Sequence, residues 1–288
     1  MKRFLFFVPF LFWMLTACQE RKASTNAMDE ADNQQPGFVT NDSLAPDSLS
    51  PDSQEQLIES TEMQHTADEL FDDFVFNFAA NRRLQMQRIH FPLPEVLSGG
   101  NTVGIQREQW HMEHFFMRQD YYTLIFDSEQ QMEAVSDTAI SDAIVERIHL
   151  NRHTIKRFVF RREQGKWMLR AIHHQEMGAS QNASFLSFYE RFANDSIFQR
   201  EHLADVIAFS APDPEDDFVT MEGVITPETW EAFAPDLPES VIYNIVYGKC
   251  QHGDEHKIFI IRGIANDSQE ELSFDHIGGQ WMLTALKL

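Results

Sequence analysis

The sequence FDDFVFNFAAN, residues 71–81, returns 114 residues later as FLSFYERFAND, residues 185–195. The sequence FRREQGKWMLRA, residues 160–171, returns at the same spacing as FDHIGGQWMLTA, residues 274–285. Because both ends of the unit share one offset, the chain contains two diverged copies of one domain. Between these ends the offset varies: Trp110 and Trp230 are 120 residues apart, and the QRxH patterns at 87–90 and 199–202 are 112 apart. Small compensating insertions explain these differences.

Each copy opens with a helix and continues into strands. Phe71, Phe74 and Phe78 form one apolar stripe at a 3.6-residue period, and the second copy repeats this stripe from Phe185 to Phe192. Alternating or apolar runs predict strands at 121–126, 144–150, 155–161 and 167–173, and at 241–247, 257–262, 271–274 and 281–286. Glycine-containing turns at 163–165 and 277–279 join the last two strands of each copy. Helices followed by an antiparallel meander predict an α+β fold.

The first eighteen residues have the pattern of an export signal. Lys2 and Arg3 precede an apolar run over residues 4–15, which is too short for a membrane-spanning helix. The alternative for this run is an uncleaved anchor or a buried helix. Leu15-Thr16-Ala17-Cys18 resembles the lipobox of bacterial lipoproteins. That resemblance implies that Cys18 receives diacylglyceryl and acyl (palmitate) chains and becomes the first residue of the mature chain.

Residues 19–64 form a predicted disordered stalk. They are rich in Gln, Asn, Ser, Asp and Pro, and a five-residue unit recurs from Asn41 to Ser53. For 46 residues, the flexible-chain estimate gives a reach of roughly 40 Å. Ser43 and Ser48 stand in Asp-Ser-Leu sequences that resemble the acceptor of a bacterial O-glycosylation system. The alternative is that Asp-Ser simply forms turns.

Charge and cysteine content restrict the partners. The net charge of −22 becomes −24 when Lys2 and Arg3 leave with the signal. Such a surface repels phosphate backbones, so we expect no nucleic-acid partner. With Cys18 acylated, Cys250 has no intramolecular partner, and core packing is its expected role.

The helix, the meander and the closing GKWML sequence resemble the cone-shaped fold of nuclear transport factor 2 (NTF2), which ketosteroid isomerases, scytalone dehydratase and polyketide cyclases share. The whole layout is similar to a family of gut-bacterial lipoproteins with a domain of unknown function (4348). The resemblance covers residues 67–288 and implies two tandem cone domains, each with N-terminal helices packed on a curved antiparallel sheet. We place them at 65–178 and 179–288. Because their connection is short, we expect them to pack as a pseudo-dimer within a monomer.

Enzymes of this fold use an Asp, His or Tyr inside the cone as a general base or oxyanion partner. Tyr122, His149, His153 and His173 lie on or beside predicted strands of the first copy and are the candidate catalytic residues. None of them has an identifiable partner at fixed spacing, so the sequence favours a protein without enzymatic activity.

Metal and cofactor motifs are weak. His111 and His114, and likewise His252 and His256, would share a helical face but have no third ligand. The acidic loop at 213–217 lacks the glycine and the terminal Glu of a calcium loop. We therefore expect no metal and no cofactor.

The sequence thus predicts an envelope lipoprotein that is anchored to a lipid bilayer through Cys18. Its tandem cones would bind a small apolar ligand or an envelope protein partner. Gln19 after Cys18 favours the outer membrane, with periplasmic or surface facing left open. The alternative is a cone-fold isomerase, dehydratase or hydrolase that acts on a periplasmic metabolite.

Overall fold

A computed structural model describes residues 68–213, 216–249, 253–266 and 268–288. The signal at 1–18, the stalk at 19–64, Cys18, Ser43, Ser48, Cys250 and His252 lie outside the described residues. Within the described residues, no helix has both the length and the apolar character needed to cross a bilayer.

Two sets of equivalent elements follow one another along the chain. The first set consists of α1 (Phe71–Ala80), α2 (Arg82–Arg88), β1 (Leu93–Val96), β2 (Thr102–Ile105), β3 (Tyr121–Phe126), α3 (Glu129–Met132), β4 (Asp142–His149), β5 (Thr154–Glu163) and β6 (Lys166–Glu176). The second set consists of α4 (Ala183–Asn194), α5 (Ser196–Glu201), β7 (Leu203–Asp213), β8 (Asp216–Ile225), β9 (Val241–Tyr247), β10 (His256–Gly263), β11 (Gln269–Ile277) and β12 (Gln280–Lys287). The α+β fold of two repeated units is confirmed.

The last residue of the repeated helix motif explains how each copy turns from its first helix into its second. Asn81 leaves the helical region, with φ −123° and ψ 106°, and its side chain accepts a hydrogen bond from Leu84 N at 2.9 Å. Asp195 adopts φ −127° and ψ 102° and accepts hydrogen bonds from the backbone N atoms of Ile197 and Phe198, both at 3.0 Å. An Asn or Asp at this position therefore ends one helix and caps the next.

The strand order shows that the two copies exchange their third strands. The first sheet has the order β2-β1-β6-β5-β4-β9, and the second has the equivalent order β8-β7-β12-β11-β10-β3. Ile148 of β4 lies opposite Ile242 of β9, while Arg262 of β10 lies opposite Tyr122 of β3. Ile148 and Arg262 are 114 residues apart and Tyr122 and Ile242 are 120 apart, so both exchanged pairings have the same register. Each predicted cone is therefore completed by a strand of the other copy.

The structure also places the two compensating insertions. Ile89 forms a parallel bridge with Leu169 and Leu203 pairs in parallel with Leu283, which fixes the offset at 114 at the start of each sheet. Equivalent residues of the two copies are 120 positions apart from Trp110 through β3, and they are again 114 positions apart from β4 onward. The second copy is thus six residues longer around its β7–β8 hairpin and six shorter before β10. The 112-residue pairing of the QRxH patterns is wrong, because Gln199 is the equivalent of Gln85.

Aromatic side chains fill both cones. Phe160 of β5 meets Phe71 and Phe78 of α1 edge-on, with ring centroids 5.4 Å apart in each case. Phe274 of β11 repeats these contacts with Phe185 at 5.4 Å and with Phe192 at 5.2 Å. The repeated phenylalanines are thus the packed interior of each cone, and this part of the interior is closed to a ligand.

Candidate functional site

A cavity of about 370 Å³ lies beside the filled interior of the first cone. Its walls come from the segment 112–119 and from side chains near the ends of β4 and β9. Because β9 belongs to the second copy in sequence, both copies contribute to this site.

Arg147 of β4 is the centre of the cavity wall. Its Nε donates a hydrogen bond to the Tyr243 hydroxyl at 2.7 Å, and its Nη2 forms an ion pair with Glu113. Burial lowers the pKa of Arg147, but Glu113 and Tyr243 more than offset this, and the pKa is raised overall. The guanidinium is therefore charged and held in one orientation.

The segment that carries Glu113 has an unusual backbone. Phe115 has φ 48°, a left-handed conformation that is rare for a bulky side chain. The Tyr243 hydroxyl donates to its carbonyl oxygen at 2.8 Å, and its N–H donates to Glu113 Oε1 at 3.3 Å. The surroundings thus hold a strained residue at the cavity wall.

Gln85 of α2 holds the backbone of the segment that contains Glu113 in place. It is fully buried, and its Oε1 accepts hydrogen bonds from Trp110 Nε1 and Glu113 N, both at 3.0 Å. Its Nε2 donates to the carbonyl oxygens of Phe78 at 2.8 Å and Glu113 at 2.7 Å. All four hydrogen-bonding positions of the carboxamide are used.

Gln119 is less well satisfied. Its Nε2 donates to the Val241 carbonyl at a long 3.4 Å, while its buried Oε1 has no hydrogen-bond partner in the described part of the chain. An unsatisfied buried acceptor is unfavourable for folding, and such groups concentrate at functional sites.

Comparison of the two copies separates structural features from candidate functional ones. The hydrogen bonds of Gln85 to a tryptophan and to a helix carbonyl are present in both copies, since Gln199 accepts a hydrogen bond from Trp230 Nε1 at 2.9 Å and donates to the Phe192 carbonyl at 3.1 Å. The charged wall is present in one copy only, because the positions of Glu113, Arg147 and Tyr243 correspond to Phe233, Ile261 and Thr123. The first cone is therefore the candidate site.

The structure disperses the four predicted catalytic residues. His149 lines the cavity, and burial, Arg147 and Arg152 lower its pKa. Tyr122 is buried in the first core, where it stacks on Phe116 at 5.1 Å and accepts a hydrogen bond from Arg262 at 3.1 Å.

His153 and His173 lie away from the cavity. His153 has φ 51° in the turn after β4, and its Nε2 lies 2.7 Å from Glu190 Oε2 on α4. His173 lies opposite Arg157 in the β5–β6 ladder, and burial and Arg157 lower its pKa. Of the four candidates, the structure therefore places only His149 at the cavity and does not bring the four together.

The predicted metal motifs are likewise separated. His114 borders the cavity while His111 is exposed, and His256 Nδ1 lies 2.7 Å from Asp275 Oδ1. Across the described ranges, no group of three or more His, Cys, Asp or Glu side chains is placed to hold a metal ion.

Sequence reasoning missed the cavity residues Arg147, Glu113 and Tyr243. The sequence did contain one signal. Arg147 lies on the same face of β4 as the buried Ala143 and Val145, at a position where an apolar residue is expected. Glu113 and Tyr243 lie far from it in the sequence, and only the strand exchange brings Tyr243 to it.

The two tandem cones, with the cavity beside the interior of the first, define an α+β domain of the cone type. The chain belongs to the family described as a domain of unknown function, DUF4348, which matches residues 50–287. It is similar to the crystal structure of an NTF2-like protein from Bacteroides fragilis. The two share 37% identity and a TM-score of 0.71, over 77% of this chain and 96% of that one. A search of curated proteins returned no significant match.

Proposed function

We propose that this protein is a lipid-anchored, non-enzymatic binding protein of the bacterial envelope, in which the first cone holds a small ligand. The observation that carries the proposal is the cavity with its oriented Arg147–Glu113–Tyr243 group, which has no counterpart in the second cone. The second cone then acts as a scaffold that supplies β9.

The geometry supports binding rather than catalysis. Arg147 already bonds to both Glu113 and Tyr243, and within the described contacts His149 has no hydrogen-bond partner that would orient it as a general base. Because phenylalanines fill the interior, the ligand occupies the cavity beside it. A purely apolar ligand fits that charged wall poorly, so we propose one with a polar end.

Anchoring is the second part of the proposal. Cys18 follows the lipobox pattern, and two or more acyl chains on its mature N-terminus would hold the protein on a bilayer, with the outer membrane favoured. The stalk at 19–64, with Ser43 and Ser48 as glycosylation candidates, would let the cones reach roughly 40 Å from the surface. An envelope protein partner is a further proposal of the same kind.

Native mass spectrometry of the full-length protein, purified from its host in detergent, tests the binding function. We expect an extra mass that denaturation releases from the wild type and that Arg147→Ala and His149→Ala do not retain. Arg161→Ala is the control, because Arg161 forms an exposed ion pair with Asp142 on β4. Circular dichroism checks that each variant is folded. A protein that carries no releasable mass, or folded cavity variants that retain it fully, would refute the proposal.

A further inference from the structure

We infer that the cavity binds an amphipathic organic acid, with its carboxylate between Arg118 and Arg147 and its apolar body against Met112, Phe115 and Val241. The inference rests on the proposed binding function and adds the chemical class of the ligand. Three independent features of the cavity support it: unused cationic donors, a local excess of positive charge, and an apolar wall.

The first feature is the set of unused donors. Arg147 uses Nε for Tyr243 and Nη2 for Glu113. Within the described contacts its Nη1 donates no hydrogen bond, and this atom is accessible to solvent. Arg118 is exposed and lines the same cavity. Two guanidinium groups with free N–H donors match the two oxygens of a carboxylate.

The second feature is the balance of charge. Arg147 and Lys156 share the carboxylate of Glu113, with Lys156 Nζ 4.0 Å from Glu113 Oε2. Glu95 also acts on Lys156, so the two cations Arg147 and Lys156 are balanced by two carboxylates. With Arg118 added, positive charge exceeds negative charge around the cavity, although the whole chain carries −22. Such a local excess selects an anion over a neutral or cationic ligand.

The third feature is the remaining wall. Met112, Phe115 and Val241 present apolar surface to the cavity, and Tyr243 adds an aromatic ring. A volume of about 370 Å³ is at the small end of ligand sites, which fits a single ring or a short chain. Behind Phe115 the interior is filled, since the Phe115 ring centroid lies 4.7 Å from that of Phe158. This packing limits the length of the apolar part of the ligand.

The test compares three probes with one phenyl body: phenylacetate, phenylacetamide and phenylethylamine. Calorimetry on the full-length protein in detergent should show that phenylacetate binds. The amide and the amine should bind at least about tenfold more weakly than phenylacetate. Arg118→Gln and Arg147→Gln should each weaken phenylacetate binding about tenfold and weaken phenylacetamide binding by a smaller factor. Arg161→Gln should change neither. Because Arg118 is exposed, its substitution leaves the fold intact.

Three results would overturn the inference. The amide or the amine could bind as tightly as phenylacetate or more tightly, Arg118→Gln could leave the affinity for phenylacetate unchanged, or none of the probes could bind. In each case the mass-spectrometric result decides the wider question. A host ligand that is retained by the wild type and lost from Arg147→Ala would leave the binding function standing and refute the acid alone. A protein without any such ligand would refute both.

Discussion

Two glutamines at equivalent positions, the fully buried Gln85 and the half-buried Gln199, differ in how much structure they support. Gln85 makes four hydrogen bonds and fixes the segment that lines the cavity, whereas Gln199 makes two. Because the two residues share a place in the fold, the difference between them reports what the first cone adds for its site.

Replacement of each glutamine by leucine measures that difference. Gln85→Leu strands Trp110 Nε1 and Glu113 N, so we expect it to lower the free energy of unfolding by about 3 kcal/mol. Gln199→Leu strands mainly Trp230 Nε1 and should lower it by about 1–2 kcal/mol. Urea titration of both variants provides the measurement. Equal losses would show that the extra hydrogen bonds of Gln85 contribute nothing.

Asp72 is expected to make stability depend on pH. Burial raises its pKa above 3.8, although Tyr247 donates a hydrogen bond to it at 2.5 Å. A folded-state pKa above the unfolded value means that the native state loses stability as pH rises through that window. Asp72→Asn keeps an acceptor for Tyr247 and removes the charge, so its Tm at pH 7 should equal or exceed that of the wild type.

The control for Asp72→Asn is Asp73→Asn, which removes a charge from the same first turn of α1 at an exposed position. Thermal melts from pH 7 down to pH 3 should show the advantage of Asp72→Asn shrinking and then disappearing below about pH 4. A Tm difference that is independent of pH, or the same profile for Asp73→Asn, would contradict the assignment.

At the scale of elements, β3 and β9 are the parts on which both cores depend. On β3, Tyr122 and Leu124 belong to the first core while Ile125 belongs to the second. The two strands also bond directly: Tyr243 N donates to Thr123 Oγ1 at 3.0 Å, and Ile125 N donates to Asn244 Oδ1 at 2.9 Å. Removal of either strand would open both cores.

This exchange predicts that the halves fold only together. Fragments 65–178 and 179–288, expressed separately, should lack a cooperative thermal transition, because each core then loses one strand. When the fragments are mixed, they should form a 1:1 complex with the far-UV and near-UV circular dichroism of the intact chain. A well-dispersed NMR spectrum from either fragment alone would contradict the prediction.

The strands that the sequence predicts are those with strong patterns, and the strands it misses have weak ones. β1 contains Pro94, β2 contains Gly104, β7 includes Pro212 and several alanines, and β8 contains Gly223, so a regular strand pattern is interrupted in all four. The exchange itself could not be predicted. The two third strands have equivalent positions and the same register, and the sequence does not say which copy supplies the partner of β4.

The sequence analysis singled out only two residues of the candidate site, His149 and His114. A single copy shows a histidine near a strand end but not that Arg147 points inward beside it. Alignment of the copies at the correct offset would have placed Arg147 against Ile261 and Glu113 against Phe233, since a position that changes from apolar to charged between copies is a candidate for function. The link from Arg147 to Tyr243 required the three-dimensional structure.

At the scale of the whole molecule, buried polar groups also join the two copies. Lys257 of β10 is completely buried, and its Nζ bonds to Asp127 of the first copy and to Asn182 Oδ1 at 2.7 Å. Glu146 of β4 accepts a hydrogen bond from Asn244 Nδ2 of β9 at 3.0 Å. Breaking a buried ion pair of this kind costs about 3–5 kcal/mol, so the copies resist separation.

At the same scale, the proposed anchoring depends on a single residue, Cys18. Cys18→Ser should prevent acylation and move the protein from the membrane pellet to the soluble fraction, because stable anchoring needs two or more acyl chains. Fractionation of cells after salt and carbonate washes, followed by immunoblotting, is the measurement. If the variant stays in the pellet, the lipid anchor is refuted.

The exchanged strand has a consequence for the order in which the protein is made. Tyr243 orients Arg147 and supports Phe115, yet it lies near the end of the chain, more than ninety residues after the arginine. A nascent chain that has emerged only as far as Gly178 contains every charged residue of the cavity but not the strand that arranges them. The candidate site is therefore complete only after β9 has been made, and a premature stop between Gly178 and β9 leaves a product with Arg118 and Arg147 but without Val241 and Tyr243.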